Sequence, residues 1–243
     1  MNRRIAMWSG PRNISTAMLR SWGERGDTFV CDEPLYAHYL LTTRVDHPGR
    51  DEVIASQEND WRRVVDWLTG EIPEGRSVFY QKHMAHHLLP VIGRDWLSKV
   101  TSVFLIRNPG EMLTSLIRVT PDVGLNDTGL ARQWELFERQ RSLSGEIPPV
   151  IDSRDVLENP RGVLSALCDA LELPFDEAML SWEPGRRDTD GVWAKHWYSA
   201  VEKSSGFAPY EHKADAVPAH LAHVLDECHQ IYDRLYEHRI QAR

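Results

Sequence analysis

Residues 9–16 read Ser-Gly-Pro-Arg-Asn-Ile-Ser-Thr and combine a guanidinium, backbone amides and hydroxyls in one short segment. An apolar run at 5–8 precedes the segment, and apolar residues at helical spacing follow it. A turn between a buried strand and a helix is typical of phosphate binding, because the first helical turn offers unpaired N–H groups and partial positive charge. The segment therefore predicts an anion site made of Gly10, Pro11, Arg12, Asn13, Ile14, Ser15 and Thr16.

A second candidate anion site follows the apolar run at 103–106. Arg107 leaves this predicted strand, Asn108 and Pro109 open a helix, and Ser115 lies eight residues after Arg107. An arginine at a sheet edge and a hydroxyl on the next helix predict a clamp for a second phosphate. The ATP-binding pattern Gly-x-x-x-x-Gly-Lys-Ser/Thr is not met, since residues 9–16 lack its lysine and its second glycine.

Strand and helix patterns alternate along the chain, which predicts an α/β fold with a mostly parallel central sheet flanked by helices. The predicted strands are 4–8, 28–31, 77–81, 102–106 and 149–152. The predicted helices are 14–22, 35–41, 53–68, 109–119 and 128–142, with a C-terminal helix at about 218–240. The length of 243 residues suits one domain over 1–243.

Composition narrows the partners that we expect. The net charge of −8 disfavours binding to nucleic acid or to an anionic membrane, so cations for an anionic ligand must be concentrated locally. Three widely spaced cysteines form no disulfide or zinc pattern, which fits a reducing compartment. No secretory signal or membrane-helix pattern occurs, so we expect a cytoplasmic protein. The oligomeric state is left open.

Together, the two anion motifs resemble those of sulfotransferases that use 3′-phosphoadenosine 5′-phosphosulfate (PAPS). Pro-Arg-x-x-Ser-Thr is similar to the phosphosulfate loop, and Arg107-Asn108-Pro109 with Ser115 is similar to the 3′-phosphate motif. The opening Gly-Pro-Arg-Asn-x-Ser-Thr is similar to that of bacterial sulfotransferase-like proteins. A looser resemblance links 190–195 to a late nucleotide-covering loop, which nominates Trp193 for stacking on adenine.

The resemblance implies a P-loop NTPase-like fold and transfer of a sulfuryl group from PAPS to a hydroxyl or amine of a small-molecule acceptor. The product would be 3′,5′-ADP. Two separated phosphate groups in the donor match two separated anion motifs. Arg12 supplies fixed charge to the leaving phosphate, so no metal is expected.

The acceptor must lose a proton, and two residues near predicted strand ends are candidates for the base. Glu33 follows the strand at 28–31 and precedes Pro34, and His83 follows Lys82 near the exit of the next strand. Lys82 either contacts the sulfuryl group or lies on the surface, and Glu33 alternatively caps a helix. The regions 36–39 and 83–87 are candidates for lining the acceptor pocket.

Two other functions stay open at the level of sequence. A variant P-loop phosphotransferase is disfavoured by the missing lysine and by the lack of an assignable Mg²⁺ carboxylate. A non-catalytic nucleotide-binding module would keep both anion motifs without a base. The acceptor is not specified by the sequence.

Overall fold

Five parallel strands form the central sheet of the computed structural model, which describes residues 2–212 and 216–242. The strands are β1 (Arg3–Ser9), β2 (Thr28–Asp32), β3 (Val78–Met84), β4 (Thr101–Ile106) and β5 (Val150–Asp152). The helices are α1 (Ser15–Gly23), α2 (Tyr36–Thr43), α3 (Arg50–Ser56), α4 (Trp61–Thr69), α5 (Pro109–Leu116), α6 (Leu125–Thr128), α7 (Leu130–Ser144), α8 (Ser153–Glu158), α9 (Pro160–Ala170), α10 (Ala194–Trp197) and α11 (Ala222–Tyr236). Short 3₁₀ turns cover Pro73–Gly75, Ala85–His87, Asp95–Lys99, Glu177–Leu180, Val201–Lys203 and Ala219–Leu221. Residues 1, 213–215 and 243 of the expected domain lie outside the described residues.

The predicted α/β class is confirmed, because every strand pairing is parallel and helices flank the sheet. Alternate residues of the strands face opposite layers of core, as the two-residue period of a strand requires. Trp8, Phe79 and Phe104 pack in one layer, whereas Met7 and Tyr80 pack in the other. All five side chains are fully buried, so the strands form the middle layer of the molecule.

The strand order β2-β3-β1-β4-β5 decides where functional loops meet. Ser9, at the end of β1, pairs with Met84 of β3 on one side and with Leu105 of β4 on the other. Parallel strands place all their carboxyl ends at one edge, where ligands of such sheets bind. The residues that follow β1, β2, β3 and β4 therefore converge at that edge.

Several elements differ from the predicted boundaries for local reasons. The single helix expected at 53–68 is two helices, because Gln57 is extended and the Asp60 side chain caps α4 by accepting from the Arg62 N–H. The helix expected from residue 128 is interrupted by Gly129, whose φ of 75° ends α6 before α7 begins. The C-terminal α-helix starts only at Ala222.

The most consequential difference is that β3 continues to Met84, past the predicted end at residue 81. Lys82 and His83 therefore lie within a strand and not after it. Separately, no helix in the described ranges is long and apolar enough to cross a membrane.

Gly10 is required where the β1–α1 loop passes the end of α6. A Cβ built on Gly10 would lie 2.3 Å from the Thr128 carbonyl oxygen, a backbone atom that cannot rotate away. We predict that Gly10→Ala lowers the free energy of unfolding by about 1–3 kcal/mol, the usual cost of overpacking. Chemical denaturation measures this loss.

Gly26→Ala is the matched control, because a Cβ on Gly26 meets no atom within 4 Å. Its stability is expected to equal or slightly exceed that of the original chain. Equal stability of the two variants would show that Gly10 does not need its close approach to Thr128.

Candidate functional site

A cavity of about 450 Å³ lies where the loops after the strands converge. Residues of the β1–α1 loop and of the first turn of α1 line it, together with Arg107 and Ser115 from the β4–α5 region. Glu33, Lys82 and Tyr198 line it as well. Both predicted anion motifs and one candidate base therefore face the same space.

Asn13 fastens the β1–α1 loop to the sheet. Its amide nitrogen donates to the Leu105 carbonyl at 3.1 Å, and its side-chain oxygen accepts from the Ile14 N–H at 2.8 Å. No side chain caps the first turn of α1, whose residues Ser15 and Thr16 line the cavity. The amide N–H groups of this turn therefore remain for a ligand.

Arg12 is the point at which the two anion motifs meet. Its Nε donates to the Ser115 Oγ at 2.9 Å, and its carbonyl oxygen accepts from Arg107 Nη1 at 2.6 Å. The sequence suggested two separated anion motifs, but the structure places them in direct contact. Arg12 also has a φ of 56°, an unfavourable conformation for a non-glycine residue that is maintained by these contacts.

Positive charge is concentrated around Arg12. Burial lowers the pKa of its guanidinium, and the nearby Arg107 and Arg118 lower it further by repulsion. Among the described residues no carboxylate forms an ion pair with Arg12. An anion bound between these guanidiniums would relieve their repulsion, which is the electrostatic signature of an anion site.

Arg107 is partly engaged by a carboxylate of α5. Its Nη2 lies 3.1 Å from Glu111 Oε2, and the Tyr210 hydroxyl donates to the other oxygen of Glu111 at 2.5 Å. Three of the five N–H groups of Arg107 are used, counting the bond to the Arg12 carbonyl. The other two remain for a ligand.

A buried network of charges is centred on Lys82. Lys82 Nζ donates to Asp32 Oδ1 at 2.7 Å, to Glu33 Oε1 at 2.6 Å and to the Tyr198 hydroxyl at 2.7 Å. The Tyr198 hydroxyl donates to Asp32 Oδ2 at 2.6 Å and accepts from Trp193 Nε1 at 3.0 Å. Every N–H group of the ammonium is therefore satisfied inside the protein.

This network sets the protonation of its members. Burial opposes the charge of Lys82, but Asp32 and Glu33 raise its pKa well above the usual range. Burial also raises the pKa of Glu33, and the ammonium only partly offsets that effect. A carboxylate with a raised pKa is a stronger base than an exposed one, so Glu33 suits proton abstraction.

Glu33 does not act as the helix cap considered from sequence. The residue that precedes α2 is Leu35, and no side chain caps that helix. Glu33 instead has a φ of 44°, which turns its side chain toward Lys82 and the cavity. This is a second unfavourable backbone conformation at the site.

Tyrosines and histidines form another wall of the cavity. Tyr36, Tyr39, His47, His86 and His87 all line it and contact one another through their rings. Burial lowers the pKa of His86 to about 3 and also lowers the pKa values of His47 and His87. This aromatic wall is therefore uncharged at neutral pH. It includes parts of both regions that the sequence nominated for an acceptor pocket.

Comparison with known proteins identifies the family. A family model described as "Sulfotransferase domain" matches residues 3–232, which is most of the chain. The chain belongs to the sulfotransferase domain family. The predicted family resemblance is thereby confirmed.

Two relatives from Arabidopsis thaliana carry different names. "Branched-chain-amino-acid aminotransferase-like protein 2" is 34% identical over 235 residues, covering 96% of this chain and 41% of that protein. "Branched-chain-amino-acid aminotransferase-like protein 1" is 35% identical, with 96% and 42% covered. The chain thus spans about two fifths of the length of these curated relatives.

Two solved structures share the fold. The "Sulfotransferase Domain from the Curacin Biosynthetic Pathway" has a TM-score of 0.53 at 16% identity and covers 97% of this chain and 98% of its own. The "Sulfotransferase Domain from the Synechococcus PCC 7002 Olefin Synthase" also has a TM-score of 0.53 at 16% identity, with 99% and 96% covered. At this identity the likeness concerns the fold alone.

Within this sulfotransferase domain, His83 lies away from the cavity. Successive residues of a strand point to opposite faces, so His83 and Lys82 cannot share a site. His83 stacks on Trp8 with ring centroids 4.3 Å apart, and burial lowers its pKa to about 3. The geometry removes His83 from the candidate bases. Likewise, Lys82 is neither on the surface nor available to a sulfuryl group, because its donors are occupied.

Trp193 has a structural position instead of the expected nucleotide contact. It is 2% exposed, packs edge-on against Tyr36 and donates to the Tyr198 hydroxyl. In the same segment Asp190 forms a buried ion pair with Arg20, and Lys195 pairs with Glu52. The segment 190–195 therefore braces the aromatic wall and the Lys82 network, and its resemblance to a nucleotide-covering loop is not supported by these contacts.

Gly10 and Pro11, both predicted to belong to the anion site, occupy different surroundings. Pro11 lines the cavity with Arg12, Asn13, Ile14, Ser15 and Thr16. Gly10 instead packs against the Thr128 backbone beneath the loop. Among the described residues no group of three or more histidine, cysteine, aspartate or glutamate side chains is arranged to hold a metal ion.

Asp32 and Tyr198 are the functional residues that sequence reasoning missed. Asp32 is the β2 residue that pairs in register with Lys82, so its partner becomes visible only once the strand pairing is known. Tyr198 follows α10 and reaches the site across 116 residues of sequence. No local motif marks it.

The buried neutral His83 makes stability depend on pH. Its folded pKa is depressed, so protons bind the unfolded chain first and stability is lost as pH falls below about 6.5. We predict that His83→Gln removes about 2 kcal/mol of the decrease in unfolding free energy between pH 7.5 and pH 5. Urea unfolding at several pH values measures the slope.

His223→Gln is the control, because the side chain of His223 is exposed on α11. That variant should keep the slope of the original chain. A His83→Gln slope identical to the original would contradict a neutral, buried His83.

Proposed function

We propose that this chain transfers a sulfuryl group from PAPS to an acceptor hydroxyl or amine. One observation carries the proposal: the guanidinium cluster around Arg12 and the buried carboxylate of Glu33 line the same cavity. An anionic donor needs the guanidinium groups, and a protonated nucleophile needs the carboxylate as a base.

The described residues fit a donor that carries two phosphate groups. The first-turn N–H groups of α1 and the side chain of Arg12 would hold the 5′-phosphate end. Arg107 and Ser115 would hold the 3′-phosphate, using the N–H groups that Glu111 and the Arg12 carbonyl leave unused. Arg12 retains four N–H groups beyond its bond to Ser115. Arg12 contributes to both anion positions. Binding of a phosphate at one position would therefore help to fix the side chains at the other.

PAPS supplies an activated sulfuryl group whose sulfur–oxygen bond to the phosphate breaks during transfer. The chain's residues handle the charge and the proton. Glu33 accepts the proton of the acceptor as the acceptor atom bonds to sulfur. Arg12 and the α1 amides stabilise the electron pair that stays on the departing phosphate oxygen. Lys82 keeps Glu33 oriented through the 2.6 Å bond to its Oε1.

The raised pKa of Glu33 sets the pH dependence that we expect. Proton abstraction needs the carboxylate, so the transfer rate should fall as pH drops through the raised pKa of Glu33. The histidines of the aromatic wall do not cause this fall in rate, because their pKa values are lowered and not raised.

The two other functions make different demands on the same cavity. A phosphotransferase would prefer ATP with Mg²⁺, and a binding module would bind nucleotide without transfer. Calorimetry that compares 3′,5′-ADP without metal against ATP with Mg²⁺ distinguishes a sulfotransferase from a phosphotransferase by which nucleotide binds more tightly. The names of the aminotransferase-like relatives describe proteins of which this chain matches about two fifths. The present proposal concerns only the matched segment.

Replacing either arginine should weaken binding of 3′,5′-ADP. We predict that Arg12→Ala and Arg107→Ala each raise its Kd about 10- to 100-fold, since charge-assisted hydrogen bonds contribute roughly 1.5–3 kcal/mol. Isothermal titration calorimetry without metal measures the change. Arg161→Ala, at an exposed ion pair with Glu177, should leave the Kd unchanged. Unchanged affinity in both site variants would return these arginines to a structural role.

Glu33→Gln separates binding from chemistry. We predict a loss of transfer of about 10²- to 10⁴-fold with an unchanged Kd for 3′,5′-ADP, because the amide cannot accept the proton. Lys82 keeps its bond to Asp32 in this variant, so the network loses one negative charge but keeps its other hydrogen bonds. Transfer of label from ³⁵S-PAPS to phenols, sugars, sterols and amines provides the readout. Full activity of Glu33→Gln would contradict the assignment of the base.

A further inference from the structure

His87 is held rigidly in the aromatic wall. Its ring stacks on Tyr36 at a centroid distance of 4.6 Å with the planes 4° apart. On Tyr39 it stacks at the same distance with the planes 27° apart. The side chain of His87 is 3% exposed, so the imidazole cannot turn toward bulk solvent. A ring held this firmly keeps its nitrogen atoms at constant positions.

One nitrogen of this ring is buried without a partner. His87 Nδ1 makes no hydrogen bond within the described part of the chain and lies 3.9 Å from Glu33 Oε2. Glu33 Oε1 is the oxygen that Lys82 already engages. Buried polar atoms in native proteins are nearly always paired, so an unpaired one beside a cavity indicates a group that the chain does not itself supply.

The spacing of these two atoms suits one bridging atom. A distance of 3.9 Å is too long for a direct hydrogen bond. A single oxygen placed between them reaches both at about 2.8 Å, which is an ordinary hydrogen-bond length. Glu33 Oε2 accepts a hydrogen bond, and a neutral imidazole offers either one donor or one acceptor at Nδ1.

We propose that Glu33 Oε2 and His87 Nδ1 together hold the nucleophilic hydroxyl of an acceptor that carries no negative charge near the aromatic wall. The hydroxyl donates its hydrogen to Glu33 and accepts Nδ1–H from His87. Its remaining lone pair is then free to bond to sulfur while the proton moves to Glu33. This inference rests on the proposed function and adds a positioning residue and a substrate class to it.

When His87 carries its proton on Nδ1, a hydroxyl fits this pair better than an amine. A neutral amine has one lone pair, which attack on sulfur requires, so it cannot also accept a hydrogen bond from Nδ1–H. A hydroxyl has one hydrogen and two lone pairs, which matches one acceptor, one donor and one sulfur atom.

The charges around the wall disfavour an anionic acceptor. Three cations line the cavity among the described residues: Arg12, Arg107 and Lys82. The arginines belong to the anion motifs, and Lys82 has no unused N–H group. Asp127 adds negative potential at Tyr39 and His47. An anionic acceptor would thus meet carboxylates and neutral rings, whereas an apolar ring stacks well there.

Three matched phenols test the substrate class. Binding of 4-ethylphenol, tyramine and 3-(4-hydroxyphenyl)propionate to the complex with 3′,5′-ADP is measured by calorimetry. We expect 4-ethylphenol and tyramine each to bind at least about 10-fold more tightly than the carboxylate, because the negative potential at the wall repels only the carboxylate. Equal or tighter binding of the carboxylate, or no binding of 4-ethylphenol, would overturn the substrate class.

Two variants test the role of His87. His87→Phe keeps a stacking ring without Nδ1, and His87→Asn keeps an N–H donor near the Nδ1 position without the ring. We expect His87→Phe to weaken 4-ethylphenol binding about 10- to 100-fold with the Kd for 3′,5′-ADP unchanged, and His87→Asn to retain part of the affinity. His83→Gln, an imidazole change outside the cavity, should leave both affinities unchanged. Phenol binding by His87→Phe equal to the original would overturn the role of His87.

Two readouts keep the inference distinct from the proposed function. Failure of the original chain to bind 3′,5′-ADP would refute the proposed function, whereas nucleotide binding with an inert His87 would refute this inference alone. Nitrogen-15 NMR of the histidines does not depend on any variant folding. We expect His87 to carry its proton on Nδ1 in the 3′,5′-ADP and 4-ethylphenol complex, and a proton on Nε2 would overturn the assignment.

Discussion

The buried ammonium of Lys82 is the interaction on which the site depends. A charge with only 1% of its side chain exposed is tolerable because Asp32, Glu33 and Tyr198 accept all its N–H groups. Removing one partner of such a network typically costs about 3–5 kcal/mol. The network joins β2 and β3 to the residue that follows α10. Glu33 therefore owes its orientation to the same contacts that hold these elements together.

The guanidinium of Arg12 differs from the ammonium of Lys82 in how its charge is balanced. Lys82 is neutralised by Asp32 and Glu33, whereas Arg12 has no carboxylate partner among the described residues and is repelled by Arg107 and Arg118. The described side chains thus leave the charge of Arg12 without a counter-ion, whereas Glu33 offers a carboxylate suited to take a proton. Arg12 and Glu33 both have unfavourable positive φ angles. The backbone is therefore strained at the two residues whose side chains must be positioned in the cavity. The uncharged aromatic wall forms the third side of the cavity.

Much of this arrangement could be predicted from sequence, because local patterns carry it. The strand before Gly10, the turn and the cap at Asn108 are short-range signals, and the structure contains them. What failed was the end of β3: no turn residue marks its stop, and three more residues pair with β1. That shift sent His83 to the opposite face. Asp32 and Tyr198 needed strand register and long-range contacts, which no single-sequence pattern encodes.

A crystal structure with 3′,5′-ADP bound tests the central claim most directly, because it shows both anion positions and the space beside Glu33 at once. We expect one phosphate to lie against Arg12 and the first-turn amides of α1. We expect the other to lie against Arg107 and Ser115, with Glu33 facing the unfilled sulfuryl position while still bonded to Lys82. Nucleotide bound elsewhere, or bound with its 5′-phosphate turned away from Glu33, would show that these residues do not hold the donor.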